Sequence, residues 1–207
     1  MKVLLCRLRP ATCAVALACL LCAAGCEPQE KEIVIISLND LHSHIDDLDK
    51  VAAYVAEQRR QHPNVLLLSA GDIFSGSPVV DAYPEKGYPI IDLMNNAHFD
   101  ASTLGNHEFD YGQATLAKRI EQAEFPFVCA NINAAGSPIP PLAPYAMFNL
   151  SGEKVCVVGL IQEHPETHRD RIKNLRFASP QAELERHAFL REKCSVLLAL
   201  THVGLRE

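Results

Sequence analysis

Two strongly apolar segments with one helical segment between them constrain the fold of this 207-residue chain most. EIVIISL (32–38) and NVLLLSA (64–70) are continuous apolar runs rather than alternating ones, which predicts strands buried on both faces. Between them, DLDKVAAYVAEQRRQ (47–61) has its apolar residues at helical spacing, and Pro63 ends it. A buried strand, a helix and a second buried strand predict an α/β fold in which helices cover a sheet.

The same alternation continues along the rest of the chain. The further predicted helices cover 88–97, 113–125 and 179–193. The further predicted strands cover 99–104, 126–132 and 195–201, with a hairpin over 145–161 that turns at Ser151-Gly152. In such folds ligands bind beyond the carboxyl ends of the strands, so the residues that follow each strand are where we expect a site.

The first 25 residues have the pattern of an export signal. A basic stretch, MKVLLCRLRP, precedes an apolar one, ATCAVALACLLCAAG, that ends in small residues. AAGC (23–26) resembles a bacterial lipobox, with Ala23 where Leu is preferred. We favour lipidation of Cys26, followed by a short tether over 26–31, above ordinary signal cleavage nearby. The sequence therefore predicts an exported bacterial lipoprotein, periplasmic or anchored to the outer membrane, that meets the membrane only through its lipid.

The charge and the cysteines beyond the leader exclude several classes of function. From Cys26 onward the chain has 16 basic and 25 acidic residues, which argues against nucleic-acid polymers as ligands, because Lys and Arg bind phosphate chains. A small phosphorylated substrate held by metal ions remains compatible with this charge. Cys129, Cys156 and Cys194 lie in apolar runs, which indicates small buried hydrophobic residues rather than a disulfide framework or a zinc site.

Polar side chains suited to divalent metals follow four of the predicted strands. NDLHSH follows the first, GD the second, GNHEFD the third and THVG the last. The candidate ligands are Asp40, His42, Asp72, Asn106 and His202. Each alone would be read as a turn residue, a helix cap or a buried histidine, but together they favour ligation. Two cations about 3.5–4 Å apart need a bridging carboxylate, for which Asp72 is suited, and mixed oxygen and nitrogen donors favour Mn, Fe, Co or Zn.

His107 and Asp110 form a candidate catalytic pair. His107 directly follows Asn106, so it can face a substrate above the metals, and Asp110 can accept its other ring N–H and hold its orientation. A protonated imidazole there would stabilise a transferring phosphoryl group and protonate the leaving oxygen. We expect Glu108 to hydrogen-bond nearby backbone or a ligand histidine rather than to bind metal.

The motifs that carry these residues resemble a known family. In chain order, NDLHSH, LLSAGDIFSGSP, TLGNHEFDYG and ALTHVG resemble the motifs of calcineurin-like dinuclear metallophosphoesterases, and within them the bacterial 5′-nucleotidase and UDP-sugar hydrolase branch. The resemblance implies a calcineurin-like metallophosphoesterase fold over 32–207, with two packed mixed β-sheets flanked by helices. It also implies that Asp40, His42 and Asp72 serve the first metal ion, that Asp72, Asn106 and His202 serve the second, and that His107 with Asp110 is the catalytic pair.

The implied function is metal-dependent removal of phosphate from 5′-nucleotides or related nucleotide sugars. The expected nucleophile is a metal-bridging hydroxide, the expected partner is a small nucleotide, and the expected state is a monomer. Other reactions of the same fold, such as hydrolysis of cyclic nucleotides or sulfur esters, stay open.

The chain departs from the family at its end. It lacks the family's final Gly-His-x-His motif and the C-terminal nucleoside-binding domain, so we expect the fold to be incomplete there and each metal ion to lack one ligand. We favour a fragment or a frameshifted reading of a longer lipoprotein. A dinuclear site that lacks two of its protein ligands keeps the full desolvation cost of its clustered carboxylates. The alternative is a catalytically inactive surface lipoprotein that acts as a metal- or ligand-binding module.

Overall fold

The computed structural model describes residues 31–204 and the backbone of residues 2–8. In chain order the strands are β1 (Lys2–Leu8), β2 (Lys31–Leu38), β3 (Val65–Ser69), β4 (Ala101–Ser102), β5 (Ile132–Asn133), β6 (Tyr145–Leu150), β7 (Glu153–Ile161), β8 (Arg176–Phe177) and β9 (Val196–His202). The α-helices are α1 (Leu48–Gln61), α2 (Pro78–Ala82), α3 (Tyr88–Asn96), α4 (Gln113–Gln122) and α5 (Pro180–Arg186). Within the described ranges, 3-10 helices cover Ile45–Asp47, His107–Phe109, Arg169–Arg171 and Ala188–Glu192.

The first sheet has the strand order β1-β2-β3-β4. Strands β2, β3 and β4 run parallel, with Leu38 opposite Ser69 and Ser69 opposite Ser102 at their carboxyl ends. Parallel strands need a crossover, and α1 supplies the one between β2 and β3. The carboxyl ends of three strands therefore lie at one edge of this sheet.

The second sheet has the order β6-β7-β9. Strands β6 and β7 form the predicted hairpin, whose two turn residues, Ser151 (φ 51°) and Gly152 (φ 88°), both have positive φ. That conformation matches the twist of the paired strands. Strand β9 runs parallel to β7 and ends with His202 opposite Ile161, so it adds a fourth strand end that carries a predicted ligand.

The two sheets pack face to face, and helices cover the outer face of the first sheet. The apolar layer between the sheets contains Ile33, Ile35, Leu66, Leu68, Val155, Val157 and Leu200. The layer between the first sheet and its helices contains Val34, Ile36, Leu67, Val55, Ile90 and Met94. Successive residues of β2 alternate between these two layers, which is why its sequence is apolar without alternation. The predicted α/β fold of two packed mixed sheets flanked by helices is confirmed.

The predicted strand over 126–132 is wrong in most of its length. Only Ile132–Asn133 is a strand, β5, which pairs antiparallel with β8. The residues before it bond to a different neighbour every few positions: Phe127 bridges to Ser102 of the first sheet, and Val128 bridges to Ala143. The segment crosses between the two sheets, so it cannot form a continuous ladder with either.

Two helical segments also differ from the prediction. The helix predicted over 179–193 is α5, capped by the Ser179 side chain, followed by the separate 3-10 helix Ala188–Glu192. Helix α2 was not predicted, because five residues are too few to show helical periodicity. Of the three cysteines beyond the leader, Cys129 and Cys156 are buried as expected, whereas Cys194 is partly exposed.

The predicted leader includes strand β1. In the uncleaved chain this strand pairs antiparallel with β2 along its whole length, from Lys2 opposite Ser37 to Leu8 opposite Lys31. The predicted lipidation site, Cys26, and nearly all of the predicted tether (26–31) lie outside the described residues. Among the residues that are described, no helix is both long enough and apolar enough to cross a membrane.

Candidate metal centre

The loops that follow β2 and β3 are joined by backbone hydrogen bonds. The amides of Asp40, His42 and Ser43 donate to the carbonyl oxygens of Gly71 (3.2 Å), Asp72 (2.9 Å) and Ile73 (2.8 Å), respectively. This ladder extends the parallel pairing of the two strands into their loops. It places the side chains of the NDLHSH and GD motifs beside each other.

Three of the predicted ligands have backbone conformations that are uncommon for residues other than glycine. The φ values are 53° for Asp40, 43° for His42 and 54° for Asp72. Such left-handed conformations are disfavoured by about 1–2 kcal/mol per residue, and they persist where the surrounding structure imposes them. The backbone ladder between the two loops supplies that constraint, and strain concentrated at clustered polar residues indicates a functional site.

The carboxylate of Asp72 is the centre of the cluster. It is only 3% exposed. Its Oδ2 lies 3.2 Å from His202 Nε2 and 3.8 Å from His42 Nε2, while its Oδ1 accepts a hydrogen bond from the backbone N–H of His107 at 2.9 Å. Asp40 Oδ1 in turn lies 3.9 Å from His42 Nε2. A single buried carboxylate therefore contacts side chains delivered by both sheets.

Two groups of potential ligands share this carboxylate. In the first group, ligand atoms of His42, Asp72 and His107 lie within 4.8 Å of one another, and in the second the same holds for Asp40, Asp72 and His202. A carboxylate common to two such groups is what a pair of nearby divalent ions requires. This grouping places Asp40 with His202 rather than with His42, and it includes His107, which was predicted as the acid and not as a ligand. The division of ligands between the two ions and the separate role of His107 therefore stay predictions.

The ring nitrogens of the two predicted histidine ligands are oriented by backbone carbonyls. His202 Nδ1 lies 2.9 Å from the carbonyl oxygen of Ala70, and His42 Nδ1 lies 3.3 Å from that of Ser75. A proton on Nδ1 leaves Nε2 of each ring as the ligand atom, on the side of Asp72.

Charge pairing shifts the pKa values at the centre. Burial by itself lowers the pKa of His202, but the hydrogen bond and the charge of Asp72 outweigh burial and raise this pKa to about 9. Burial by itself raises the pKa of Asp72, but the His202 ring and the backbone N–H of His107 hold it below its ordinary value. In the metal-free protein the two side chains therefore form an ion pair at neutral pH, and a metal ion must displace the proton on Nε2.

Asn106 is held by a contact that the sequence did not suggest. Its amide nitrogen, Nδ2, donates to the carbonyl oxygen of Glu166 at 3.1 Å, from the loop that follows β7. The side chain is nearly buried, and this hydrogen bond leaves the amide oxygen, Oδ1, as the donor atom for a metal.

His107 and Asp110 are hydrogen-bonded to each other. His107 Nδ1 lies 2.7 Å from Asp110 Oδ2, and its ring meets the ring of His42 edge-on with centroids 4.7 Å apart. Burial lowers the pKa of His107, but the hydrogen bond to Asp110 and the charge of Asp72 outweigh it and raise this pKa above its ordinary value. The ring is therefore beside the candidate ligands and tends to keep its proton.

Glu108 fastens the loop after β4 to the loop after β3. Its fully buried carboxylate accepts hydrogen bonds from the backbone N–H groups of Asp72 (2.9 Å), Ile73 (2.6 Å), Phe74 (3.4 Å) and Gly105. Burial, followed by the charge of Asp72, raises the pKa of this carboxyl. The predicted hydrogen bonds of Glu108 to nearby backbone are confirmed by these contacts.

Gly71 and Gly105 allow these loops to approach closely. A Cβ atom on Gly105 would overlap Asp72 Oδ1, and a Cβ on Gly71 would lie 2.5 Å from the backbone nitrogen of Gly105. Gly71 also has a φ of 91°, which favours glycine. The glycines in GD and GNHE are therefore needed because backbone must lie against the central carboxylate.

Comparison with known proteins identifies the family. Residues 33–207 match the family model described as calcineurin-like phosphoesterase. The chain belongs to the calcineurin-like phosphoesterases. It is 30% identical over 169 residues to the 2′,3′-cyclic-nucleotide 2′-phosphodiesterase/3′-nucleotidase of Haemophilus influenzae, covering 72% of this chain and 24% of the relative. It is 34% identical over 154 residues to the 5′-nucleotidase of Vibrio cholerae, covering 72% of this chain and 28% of the relative.

A solved structure shows the same fold. The NAD nucleotidase of Haemophilus influenzae superposes with a TM-score of 0.72 at 25% sequence identity, covering 84% of this chain and 39% of that one. This calcineurin-like phosphoesterase thus spans between about a quarter and two fifths of the length of these relatives.

The side chains of this calcineurin-like phosphoesterase fit divalent metal ions. The family uses two such ions, and the carboxylate and imidazole donors converge on one buried oxygen pair as that chemistry requires. Two contacts at the site were missed from sequence. Ser75 donates to Asp110 Oδ2 at 2.5 Å, and the Glu166 carbonyl accepts from Asn106. Ser75 lies inside the LLSAGDIFSGSP motif, but nothing in its spacing marks it, and no sequence signal marks a backbone carbonyl.

Proposed function

We propose that this chain is the catalytic part of a metal-dependent phosphoester hydrolase that removes phosphate from 5′-nucleotides or related nucleotide sugars. The observation that carries the proposal is the buried Asp72 carboxylate shared by two groups of potential ligands, next to the hydrogen-bonded pair of His107 and Asp110. The relatives named as nucleotidases support the substrate class.

Asp40, His42, Asp72, Asn106 and His202 would hold the two ions. When bound, Mn, Zn, Co or Fe ions supply activated water and neutralise charge on the phosphoryl group. Asp72 would bind both ions, because its carboxylate belongs to both groups of potential ligands. The backbone carbonyls that contact Nδ1 of His42 and His202 keep Nε2 of each ring directed toward this centre. Both side chains are therefore already ordered before a metal ion binds.

His107 has a separate role in the proposed reaction. Its proton on Nδ1 is held by Asp110, which leaves Nε2 as the nitrogen that meets the substrate. Because its pKa is raised, the ring is protonated over more of the neutral range, so it can donate a hydrogen bond to a phosphoryl oxygen and a proton to the leaving oxygen.

Replacing His107 with alanine should reduce turnover of a 5′-nucleotide by about 10²–10⁴-fold, because the general acid is lost. Metal content should stay unchanged, because the predicted ligands remain. The measurement is the initial rate of phosphate release together with the metal-to-protein ratio. His164→Ala, at an exposed position, is the matched control and should behave like the unsubstituted chain. Unchanged turnover in His107→Ala would remove the imidazole from the chemistry.

Addition of Mn to the chain after chelation should raise its melting temperature. A ligand that binds only the folded state stabilises it by about 2.7 kcal/mol at a concentration of 100 times Kd. The shift should be measured by calorimetry with Mn, Zn, Co and Fe, beside phosphate release from AMP, UDP-glucose and 2′,3′-cyclic AMP. A shift without hydrolysis of any substrate would favour the alternative, a metal-binding surface module. The absence of any shift would contradict a metal centre.

We also propose that residues 1–25 are a signal peptide and that Cys26 anchors the exported protein by a lipid. The basic and apolar pattern of the leader and the small residues before Cys26 support this. Palmitate labelling of the protein in its source cells should depend on Cys26 and be lost in Cys26→Ser. A blot of the same cells gives the native mass, and a species well above 22.8 kDa would support the proposal that the chain is part of a longer lipoprotein.

A further inference from the structure

Ser75 lies beside the two imidazole rings that meet edge-on at the site, those of His42 and His107. It is in the loop after β3, two residues beyond Ile73, the last residue there whose carbonyl accepts a hydrogen bond from the loop after β2. Its backbone is left-handed, with φ of 57°. Serine has no intrinsic preference for that conformation, so the surrounding structure must impose it. The two polar groups of this residue, its hydroxyl and its carbonyl, each contact a different side chain of the candidate centre.

The hydroxyl of Ser75 acts on the pair of His107 and Asp110. Its Oγ lies 2.5 Å from Asp110 Oδ2, and Asp110 Oδ2 also lies 2.7 Å from His107 Nδ1. An ionised carboxylate only accepts hydrogen bonds, so the hydroxyl is the donor. Two donors on one oxygen fix the rotation of the Asp110 carboxylate, and through it the plane of the His107 ring.

The carbonyl of Ser75 acts on His42. Its oxygen lies 3.3 Å from His42 Nδ1, and the opposite nitrogen, Nε2, lies 3.8 Å from Asp72 Oδ2. A carbonyl that accepts the Nδ1 proton keeps Nε2 unprotonated and available to a metal ion. One residue thus sets the orientation of a predicted metal ligand through its backbone and of the predicted acid through its side chain.

The turn that contains Ser75 has little room to move. The next residue, Gly76, has φ of 116°, and a Cβ atom there would lie 3.0 Å from both Cβ and the carbonyl oxygen of His42. The Gly76 N–H donates to Asp81 Oδ2 at 3.1 Å, and the other oxygen of that carboxylate accepts from the Tyr111 hydroxyl. These contacts hold Ser75 against His42 and Asp110, so its position is transmitted to both rings.

We propose that Ser75 is a positioning residue that aligns the ring of His107 with the ring of the metal ligand His42. The edge-on contact of the two rings, with centroids 4.7 Å apart, is the arrangement that it maintains. This inference rests on the proposed function, because the purpose of the alignment is to hold the acid over the phosphoryl group that the metal ions bind. Ser75 touches neither metal nor substrate in this role.

The test compares three variants of the full chain. Ser75→Ala removes the hydroxyl and keeps the left-handed backbone strain, whereas Ser75→Gly removes the hydroxyl and the strain together. Both should lower kcat about 10-fold or more, as is typical when a partner behind a reacting group is lost, with KM changed by less than about twofold. Ser77→Ala, whose side chain makes no capping hydrogen bond, is the matched control in the same loop and should leave kcat unchanged.

Two readouts are independent of turnover. The Mn-dependent rise in melting temperature should persist in Ser75→Ala, because the carbonyl behind His42 is still present. In nitrogen-15 spectra recorded at one pH, the proton on His107 Nδ1 should be resolved in the parent chain and in Ser77→Ala. It should be shifted or lost to exchange in both Ser75 variants, because Asp110 then has only one donor.

The outcomes separate this inference from the proposed function. Normal kcat and an unchanged His107 signal in both Ser75 variants would overturn the positioning role while leaving the hydrolase intact. A parent chain that binds Mn but hydrolyses nothing would refute the proposed function, and the His107 signal would still decide the role of Ser75. A lower kcat in Ser75→Ala that recovers in Ser75→Gly would also overturn the inference, because it would assign the loss to backbone strain.

Discussion

Asp72→Asn is expected to lower both metal binding and phosphate release, the latter by about 10³-fold or more. Metal ions contribute several kcal/mol to stabilising a phosphoryl transition state, and each 1.36 kcal/mol corresponds to a factor of about ten in rate. The substitution keeps the shape of the side chain but removes the negative charge that both groups of ligands share. His202 Nε2 and the backbone N–H of His107 now contact different oxygens of this carboxylate. In the Asn variant one of these two oxygens is replaced by an amide N–H₂, which cannot accept a hydrogen bond.

The measurement is the metal-to-protein ratio after dialysis, together with the rate of phosphate release at saturating Mn. Asp92→Asn, at an exposed position of α3, makes the same chemical change away from the site and should leave both quantities unchanged. If Asp72→Asn retained two ions and full turnover, the shared carboxylate would have no role in the centre.

Glu108→Ala is expected to lower the free energy of unfolding by about 3 kcal/mol or more. The carboxylate is fully buried and accepts hydrogen bonds from four backbone N–H groups, those of Asp72, Ile73, Phe74 and Gly105. Each buried donor left without a partner costs about 1–3 kcal/mol, and water entering the space left by the side chain would offset part of that loss. Glu108→Gln keeps one acceptor oxygen and should lose less than Glu108→Ala.

Urea unfolding of the metal-free chain measures this loss without interference from metal binding. Glu121→Ala, at an exposed position of α4, is the matched control and should stay within about 0.5 kcal/mol of the parent chain. An unfolding free energy for Glu108→Ala equal to that of Glu121→Ala would mean that the backbone donors find other partners, and that the two loops do not depend on this carboxylate.

The sequence predicted those parts of the fold in which local pattern and tertiary environment agree. Strands β2 and β3 and helix α1 were predicted to within one residue at each end, because both faces of the strands and one face of the helix are apolar. The segment 126–132 has an equally apolar pattern but was wrongly predicted as a strand. Its burial comes from crossing between two sheets, and no periodicity distinguishes that environment from a regular ladder.

For the site as well, the sequence predicted which residues take part but not how they are arranged in space. The five predicted ligands could be named because each lies at the carboxyl end of a strand or in the loop just beyond it, and parallel strands bring their ends to one edge. Their grouping around Asp72 depends on side-chain rotamers and on the approach of the second sheet, which the sequence does not encode locally. The contact of Ser75 with Asp110 joins residues 35 positions apart, so only the folded structure reveals it.

His202 comes from the second sheet, whereas the carboxylate it pairs with comes from the first. Its ring is held by the carbonyl of Ala70, a partner 132 positions earlier in the chain. During synthesis, the segment that carries Asp40, His42 and Asp72 is therefore complete long before β9 exists. The complete set of predicted ligands therefore comes together only after β9 has added to β7 and the two sheets have docked, and we expect metal to bind late in the maturation of the protein.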